Sequence, residues 1–142
     1  MLFRSIPAEP GDLGYARAAA AHLGVDEWQV FKTLIAVADG EPVAAVIPAS
    51  TQLSLKAIAA AAGAKRAEMA RPDYAERLTG YVVGGISPVG QKRTLRTFVD
   101  ESAVLHDAIF VSAGKRGMDI EIAPDDLVSL TSAVYVAIGV ER

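Results

Sequence analysis

A glycine-rich segment, "GGISPVGQKR" at residues 84–93, carries residue types that can hold a substrate. Gly85 and Gly90 have the spacing of a nucleotide phosphate loop, but Gln91 stands where the lysine belongs, and no serine or threonine follows directly to bind magnesium. This pattern argues against a P-loop nucleoside triphosphatase. Two interpretations remain: a long surface turn, or the wall of a substrate pocket. In a pocket wall the glycines would let a ligand approach the main chain, Pro88 would fix the bend, and N–H groups would hold a carbonyl or oxyanion.

Lys32 carries a charge within an otherwise apolar strand, "QVFKTLIAV". Strand periodicity places Lys32 with Val30 and Leu34 on one face, and Phe31 with Thr33 on the other. One interpretation is a charge at a strand edge that discourages aggregation. The other is a cation at the mouth of a pocket, where it would bind a phosphate or a carboxylate.

A second glycine-bearing segment, "SAGKRGMDIEI", follows at residues 112–122. Its last five residues alternate between apolar and acidic side chains, which is typical of a half-buried strand with a solvated acidic face. In the functional alternative Asp119 lies in a pocket, where it could meet an amine. Five basic residues in the second half of the chain either form a phosphate-binding rim or are scattered surface charges: Lys92, Arg93, Arg96, Lys115 and Arg116.

Composition narrows the classes of function. The 142 residues carry a net charge of -3, include no cysteine, and contain two histidines, His22 and His106. Disulfides, cysteine-ligated zinc, a cysteine nucleophile and a catalytic triad are therefore unsupported, and we expect neither a metal nor a cofactor. No apolar run reaches signal-peptide or membrane-spanning length, so we expect one cytoplasmic domain over residues 1–142.

The pattern of elements predicts an α+β fold with a mixed sheet, because strands outnumber long helices and do not alternate strictly with them. An Asp39-Gly40 turn predicts a hairpin within residues 28–48. Helices are predicted at residues 11–24, capped by Asp12 and ended by Gly24, at 54–64 with Ser54 as cap, at 71–80 and at 124–130. Further strands are predicted at residues 81–87, 96–100, 108–113, 118–123 and 133–140.

Four segments occur in an order that closely resembles the YbaK family of freestanding aminoacyl-tRNA deacylases, which is related to the editing domain of bacterial prolyl-tRNA synthetase. They are "VFKTL", "LKAIAAAAGAKRAEMA", "GYVVGGISPVGQKR" and "VSAGKRGMDIEI". The resemblance runs from about residue 15 to the end of the chain. It implies a mixed, barrel-like β-sheet surrounded by helices, and it is greatest to the branch that removes cysteine from proline tRNA.

The resemblance also implies roles for particular residues. Lys32 matches the lysine that is expected to hold the terminal adenosine or its phosphate, and residues 84–88 match a G-x-x-x-P loop that holds the substrate carbonyl. The catalytic set is then Lys32, Gly84, Ser87 and Pro88. The substrate-binding set is Tyr15, Thr33, Gly85, Ile86, Ser112, Gly114 and Asp119.

The implied partner is the 3′ end of an aminoacyl-tRNA, with prolyl-tRNA synthetase as a candidate partner in trans. In the cysteine-removing branch the substrate thiol attacks its own carbonyl, which suits a chain without an evident nucleophile. Two alternatives stay open. One is an alanine-removing deacylase that activates water with the ribose hydroxyl, and the other is a non-catalytic module that binds tRNA ends or a synthetase.

Overall fold

The computed structural model describes residues 1–6 and 15–141 of the chain. The helices within these ranges are α1 (Tyr15–Leu23), α2 (Leu55–Ala62), α3 (Pro72–Thr79) and α4 (Pro124–Thr131), with 3-10 turns at Glu27–Gln29 and Glu101–Leu105. The strands are β1 (Leu2–Ser5), β2 (Phe31–Ala38), β3 (Glu41–Pro48), β4 (Gln52–Leu53), β5 (Ala67–Met69), β6 (Arg96–Asp100), β7 (Ile109–Lys115), β8 (Met118–Ile122), β9 (Val134–Val136) and β10 (Gly139–Val140). No helix in the described ranges is long and apolar enough to cross a membrane.

The Asp39-Gly40 turn forms the predicted hairpin and pairs Ala38 of β2 with Glu41 of β3. Both turn residues have positive φ, 48° for Asp39 and 84° for Gly40. Positive φ at both central positions is the type I′ geometry, whose twist matches that of the flanking strands. The turn therefore fixes the register of the two longest strands.

A five-stranded sheet, in the order β5-β2-β3-β6-β9, forms the centre of the fold. Its middle strand β3 is buried from Pro42 to Pro48 and lacks a polar alternation, as expected for a strand covered on both faces. On one face Ile47 belongs to a core with Ile58 of α2. On the other, Val46 belongs to a core with Leu127 of α4.

The predicted helices are present, and the local signals that predicted them act as expected. The Ser54 hydroxyl accepts a hydrogen bond from the Ala57 N–H at 3.1 Å at the start of α2. Pro72 occupies the first turn of α3, where its missing N–H costs nothing. The predicted cap of α1, Asp12, lies outside the described residues.

The α+β class is confirmed, and the sheet is mixed as predicted, but it does not close into a barrel. The strands of the described residues form separate sheets of three, two and five strands. One isolated bridge, between Val30 and Phe110, joins β7 of the three-stranded sheet to the chain just before β2. The predicted strand at residues 81–87 is wrong, because this segment forms turns, and the predicted strand at 133–140 is interrupted between β9 and β10.

Candidate active site

A cavity of about 750 Å³ lies against the outer edge of β2, the edge that faces away from β3. On that edge β2 is bridged to β7 at Val30 and pairs with β5 from Ala36 onward. Phe31 to Ile35 lie between these pairings and line the cavity. Because the cavity meets an edge of the strand, consecutive residues from both of its faces contribute, including Lys32 and Thr33.

The register of the hairpin places main-chain polar groups at this edge. Ala38 and Glu41 flank a two-residue turn, so they and every second pair before them exchange both hydrogen bonds. The residues between them, Thr33 and Ile35 included, direct their N–H and C=O groups to the outer edge. The Ile35 carbonyl accepts a hydrogen bond there from the Ala70 N–H at 3.0 Å. The cavity therefore borders on strand main chain that can pair with an extended ligand.

Thr33 adds a polar side chain to this wall. Its residue is only 7% exposed, and Oγ1 has no hydrogen-bond partner among the described residues. A buried hydroxyl without a partner is costly, and a substrate group that binds it recovers that cost. Thr33 is thus suited to contact a polar group of a ligand in the cavity.

The glycine-rich segment forms a second wall through Val83, Gly84 and Ile86. Gly84 has φ of 92°, a conformation that L side chains rarely adopt. Within the described residues, the Val83 N–H donates to Glu76 Oε2 at 2.8 Å and the Gly85 N–H donates to the Val82 carbonyl at 2.9 Å. These bonds remove Gly85 from the donors available to a substrate and leave Gly84 and Ile86 as the candidates.

Ser87 and Pro88 lie behind the wall and not on it. Ser87 is 0% exposed, and its hydroxyl accepts a hydrogen bond from the Val89 N–H at 3.2 Å. Its carbonyl accepts another from Gln91 Nε2 at 3.0 Å. Ser87 therefore stabilises the shape of the loop through its own turn.

The β7–β8 hairpin supplies the third wall through Ser112, Arg116 and Gly117. The register of the hairpin shifts between Ser112 and Lys115, and the Gly114 N–H donates to Ser112 Oγ at 3.2 Å inside this irregularity. Arg116 Nη2 donates to the Val83 carbonyl at 2.9 Å. The arginine thus joins the hairpin to the glycine-rich loop, and both residues of this bond line the cavity.

Asp119 is 1% exposed in β8 and lies opposite Ser112 in the pairing with β7. The interpretation of this strand as an acidic face in solvent is therefore wrong for Asp119. Two residues on, Glu121 is partly exposed and forms an ion pair with Arg4 of β1. Asp119 does not line the cavity, whereas Ser112, the residue opposite it on β7, does.

The charged side chains that line the cavity, within the described part of the chain, are the cations Lys32 and Arg116. The other basic residues proposed for a phosphate rim are not in the lining. Arg96 instead lies near Glu41 and donates to the Ala62 carbonyl at 3.0 Å. The cavity is thus apolar in much of its lining, with cations and main-chain groups suited to a ligand that carries hydrogen-bonding groups and a negative charge.

Residues 12–130 match the family model of the aminoacyl-tRNA editing domain. The chain belongs to this family. The match confirms the resemblance stated from the sequence motifs and bears out the expected class of enzyme, an aminoacyl-tRNA deacylase. It spans the cavity walls on β2, the glycine-rich loop and the β7–β8 hairpin.

Relatives and solved structures agree with the editing-domain family. Over 124 residues, 87% of this chain and 76% of the relative, the chain is 44% identical to "Putative Cys-tRNA(Pro)/Cys-tRNA(Cys) deacylase EbsC" of Enterococcus faecalis. It is 41% identical to a proline–tRNA ligase of Nitratidesulfovibrio vulgaris over 81 residues, which are 57% of this chain and 14% of the ligase. The fold matches "a putative trans-editing enzyme for prolyl tRNA synthetase" with a TM-score of 0.87 at 23% identity, covering 97% of this chain and 85% of the other.

The editing-domain cavity brings together five of the residues predicted from the sequence: Lys32, Thr33, Gly84, Ile86 and Ser112. Five more are described but do not line it: Gly85, Ser87, Pro88, Gly114 and Asp119. The side chain of Tyr15 lies outside the described part of the chain, although its backbone begins α1. The roles of all these residues stay predictions.

Sequence reasoning missed two exposed apolar residues at the cavity, Met69 and Val83. Val83 directly precedes the glycines, so its position beside them was available from the sequence. Met69 ends β5, a three-residue strand that is too short for an alternation to reveal. Its place depends on pairing with Ala36, which is a long-range contact.

Proposed function

We propose that this editing domain is a trans-acting deacylase that removes a wrongly attached amino acid, most specifically cysteine from proline tRNA. One observation carries the proposal: a cavity that places Lys32 and Arg116 beside a glycine-rich wall. The 44% identity to EbsC, whose name specifies Cys-tRNA(Pro) and Cys-tRNA(Cys), supports the choice of substrate. The match to part of a proline–tRNA ligase supports proline tRNA as the substrate, with prolyl-tRNA synthetase as a candidate partner in trans.

Each wall then has a task in holding the ester. Lys32 binds a phosphate of the terminal nucleotide as a compact cation. The N–H groups of Gly84 and Ile86 bind the ester carbonyl and stabilise the oxyanion that develops there. The Thr33 hydroxyl binds a polar group of the aminoacyl moiety. Positioning and oxyanion stabilisation of this kind supply several kcal/mol toward cleaving an already activated ester.

The attacking group comes from the substrate. The described lining of the cavity contains hydroxyls and cations but no histidine, cysteine or carboxylate that could activate a nucleophile. The cysteine sulfur bonds to its own carbonyl carbon, and the bond from that carbon to the ribose oxygen breaks. The thiol proton passes to the ribose oxygen, and the amino acid leaves as a four-membered cyclic thioester. Because the thiol and the carbonyl belong to one molecule, the attack needs no second reactant to be bound and positioned.

The test compares proline tRNA charged with cysteine, with S-methylcysteine, with alanine and with serine. We expect rapid deacylation of the cysteinyl ester alone. Rapid cleavage of the S-methylated ester would overturn thiol attack and favour water activated with the ribose hydroxyl. Alanine as the best substrate would place the chain with the alanine-removing enzymes. Binding of all four esters without cleavage would identify a non-catalytic binding module.

A further inference from the structure

A groove of about 520 Å³ adjoins the cavity on the outer surface of β5 and α3. The two concave surfaces share Met69 and Ala70 in their linings. Pro72, two residues further on, lines the cavity, whereas Tyr74 and Arg77 line the groove. A chain that leaves the cavity past Met69 therefore reaches the groove directly.

The lining of the groove combines the Tyr74 ring with two arginines, Arg71 and Arg77, and two carboxylates, Glu68 and Asp73. The Arg77 guanidinium carbon lies 5.7 Å from the centroid of the Tyr74 ring. Tyr74 and Arg77 are three residues apart on α3 and so share one face of the helix. An arginine beside an aromatic ring makes a surface on which a nucleic-acid base can stack while the cation binds a phosphate.

A second arginine lies at the start of α3. Arg71 Nε lies 3.4 Å from Asp73 Oδ1, and both side chains are largely exposed. An exposed pair of this kind is weak, so a phosphate can replace the carboxylate as the partner of Arg71. Arg77 forms no salt bridge within the described residues and is the stronger candidate for a phosphate contact.

We propose that the groove binds the single-stranded nucleotides that precede the terminal adenosine of tRNA. This inference rests on the proposed function for its direction, because the ester in the cavity sets where the preceding nucleotides lie. Met69, exposed where the two surfaces meet, contacts the terminal base. The ring of Tyr74 then stacks with a base further from the ester, and Arg77 binds a phosphate between the two.

The groove also explains why the described lining of the cavity holds only two cations, because the further phosphate contacts lie in the groove. The overall charge of -3 argues against a broad basic surface for a tRNA body. A short track of one or two phosphate contacts gives weak binding that depends on salt, with a logarithmic slope of about -0.7 per contact for a single strand. Recognition is then concentrated at the 3′ end of the tRNA.

The test uses Arg77→Gln and Tyr74→Leu, with Tyr74→Phe and Arg66→Gln as matched controls. Tyr74→Phe keeps the ring, and Arg66 is an exposed arginine that lines neither surface. Each protein is assayed on cysteinyl-tRNA and on cysteinyl-adenosine, which has no preceding nucleotide. We expect Arg77→Gln to raise KM for the tRNA by about threefold or more and Tyr74→Leu by about fivefold or more. Neither variant should alter cleavage of cysteinyl-adenosine, and the controls should match the wild type on both substrates.

A binding titration separates failure of this inference from failure of the proposed function. A labelled single-stranded RNA ending in CCA is titrated by fluorescence anisotropy over a series of salt concentrations. Arg77→Gln should reduce the salt slope by about 0.7 relative to the wild type. Equal losses of activity on cysteinyl-tRNA and cysteinyl-adenosine, or an unchanged KM and salt slope, would overturn the groove assignment. Neither result would contradict the proposed deacylase activity. A wild type that cleaves neither ester would overturn the proposed function, and the RNA titration would still decide the groove.

Discussion

The ring of Tyr81 lies directly against the main chain of Gly114, where a Cβ would stand 2.7 Å from Cε1 of the ring. The Tyr81 hydroxyl donates to the Val89 carbonyl at 2.7 Å and lies 3.1 Å from the Gly90 carbonyl. One side chain thus holds the far end of the glycine-rich loop and contacts the β7–β8 hairpin. Gly114 was predicted to bind substrate, and its close approach to Tyr81 gives it a packing role in any case.

Tyr81→Phe should loosen the glycine-rich loop while keeping its contact with Gly114. Loss of the hydrogen bond to the Val89 carbonyl is expected to lower the free energy of unfolding by about 1 kcal/mol. Deacylation should fall further than this loss of folded protein explains, because the loop that carries Gly84 is less well positioned. Urea denaturation and kcat/KM together check the prediction. An unchanged kcat/KM would show that the hydroxyl stabilises the fold without positioning the loop.

Gly84→Val should damage activity more than stability. A Cβ on Gly84 would stand 2.8 Å from Nε of Arg116, so the arginine must move and its bond to the Val83 carbonyl is lost. The positive φ adds a strain of about 1–2 kcal/mol. Deacylation should be nearly abolished, as measured on the folded fraction.

Gly63→Val is the matched control for this strain. Gly63 has φ of 74° at the end of α2, and a Cβ there would meet nothing within 4 Å. The Gly63→Val variant should lose a similar amount of its free energy of unfolding and deacylate at the wild-type rate. If Gly84→Val instead unfolds the protein and the remaining folded fraction deacylates normally, the glycine-rich loop is an ordinary turn.

The elements of this fold were predictable where short-range signals decide them. Asp39-Gly40, Ser54 and Pro72 specify a turn, a cap and a helix start through their immediate neighbours. The segment at residues 81–87 was predicted as a strand because three apolar residues precede the glycines, yet its N–H groups bond to nearby residues such as Glu76. Local propensity could not reveal this, because the competing partner lies on α3.

The sequence predicted which residue types belong to the candidate site, but not which way each side chain points. Lys32 and Gly84 line the cavity as expected, whereas the buried Ser87 hydroxyl turns back to Val89. Arg116 was one of five basic residues that the sequence could not rank. Its contact with Val83 distinguishes it, and that contact depends on how the hairpin and the loop meet in three dimensions.

Asp100→Asn should destabilise the fold without affecting catalysis. The buried carboxylate accepts hydrogen bonds from the N–H groups of Ile138 and Gly139 through Oδ1, and from the N–H and hydroxyl of Ser102 through Oδ2. An amide replaces one acceptor oxygen with a donor, which then faces other donors. We expect the free energy of unfolding to fall by about 2–3 kcal/mol. Asp107→Asn, at an exposed aspartate, is the control and should change little. A loss of kcat in folded Asp100→Asn protein would contradict a purely structural role.

Lys32→Ala should nearly abolish deacylation while leaving the fold intact. Lys32 is partly exposed on β2, so its removal leaves the apolar core around Phe31 in place. Loss of one charge-assisted contact to a substrate phosphate costs about 1.5–3 kcal/mol, which corresponds to a loss of roughly 10- to 100-fold in kcat/KM. Lys32→Arg should also be impaired, because a planar guanidinium does not replace a compact ammonium in a site shaped for it.

Lys56→Ala, at an exposed lysine of α2, is the matched control and should retain wild-type kinetics. Single-turnover assays on cysteinyl-tRNA, with circular dichroism to confirm folding, make the comparison. Wild-type turnover by a folded Lys32→Ala protein would remove Lys32 from the site and leave Arg116 as the cation that meets the substrate.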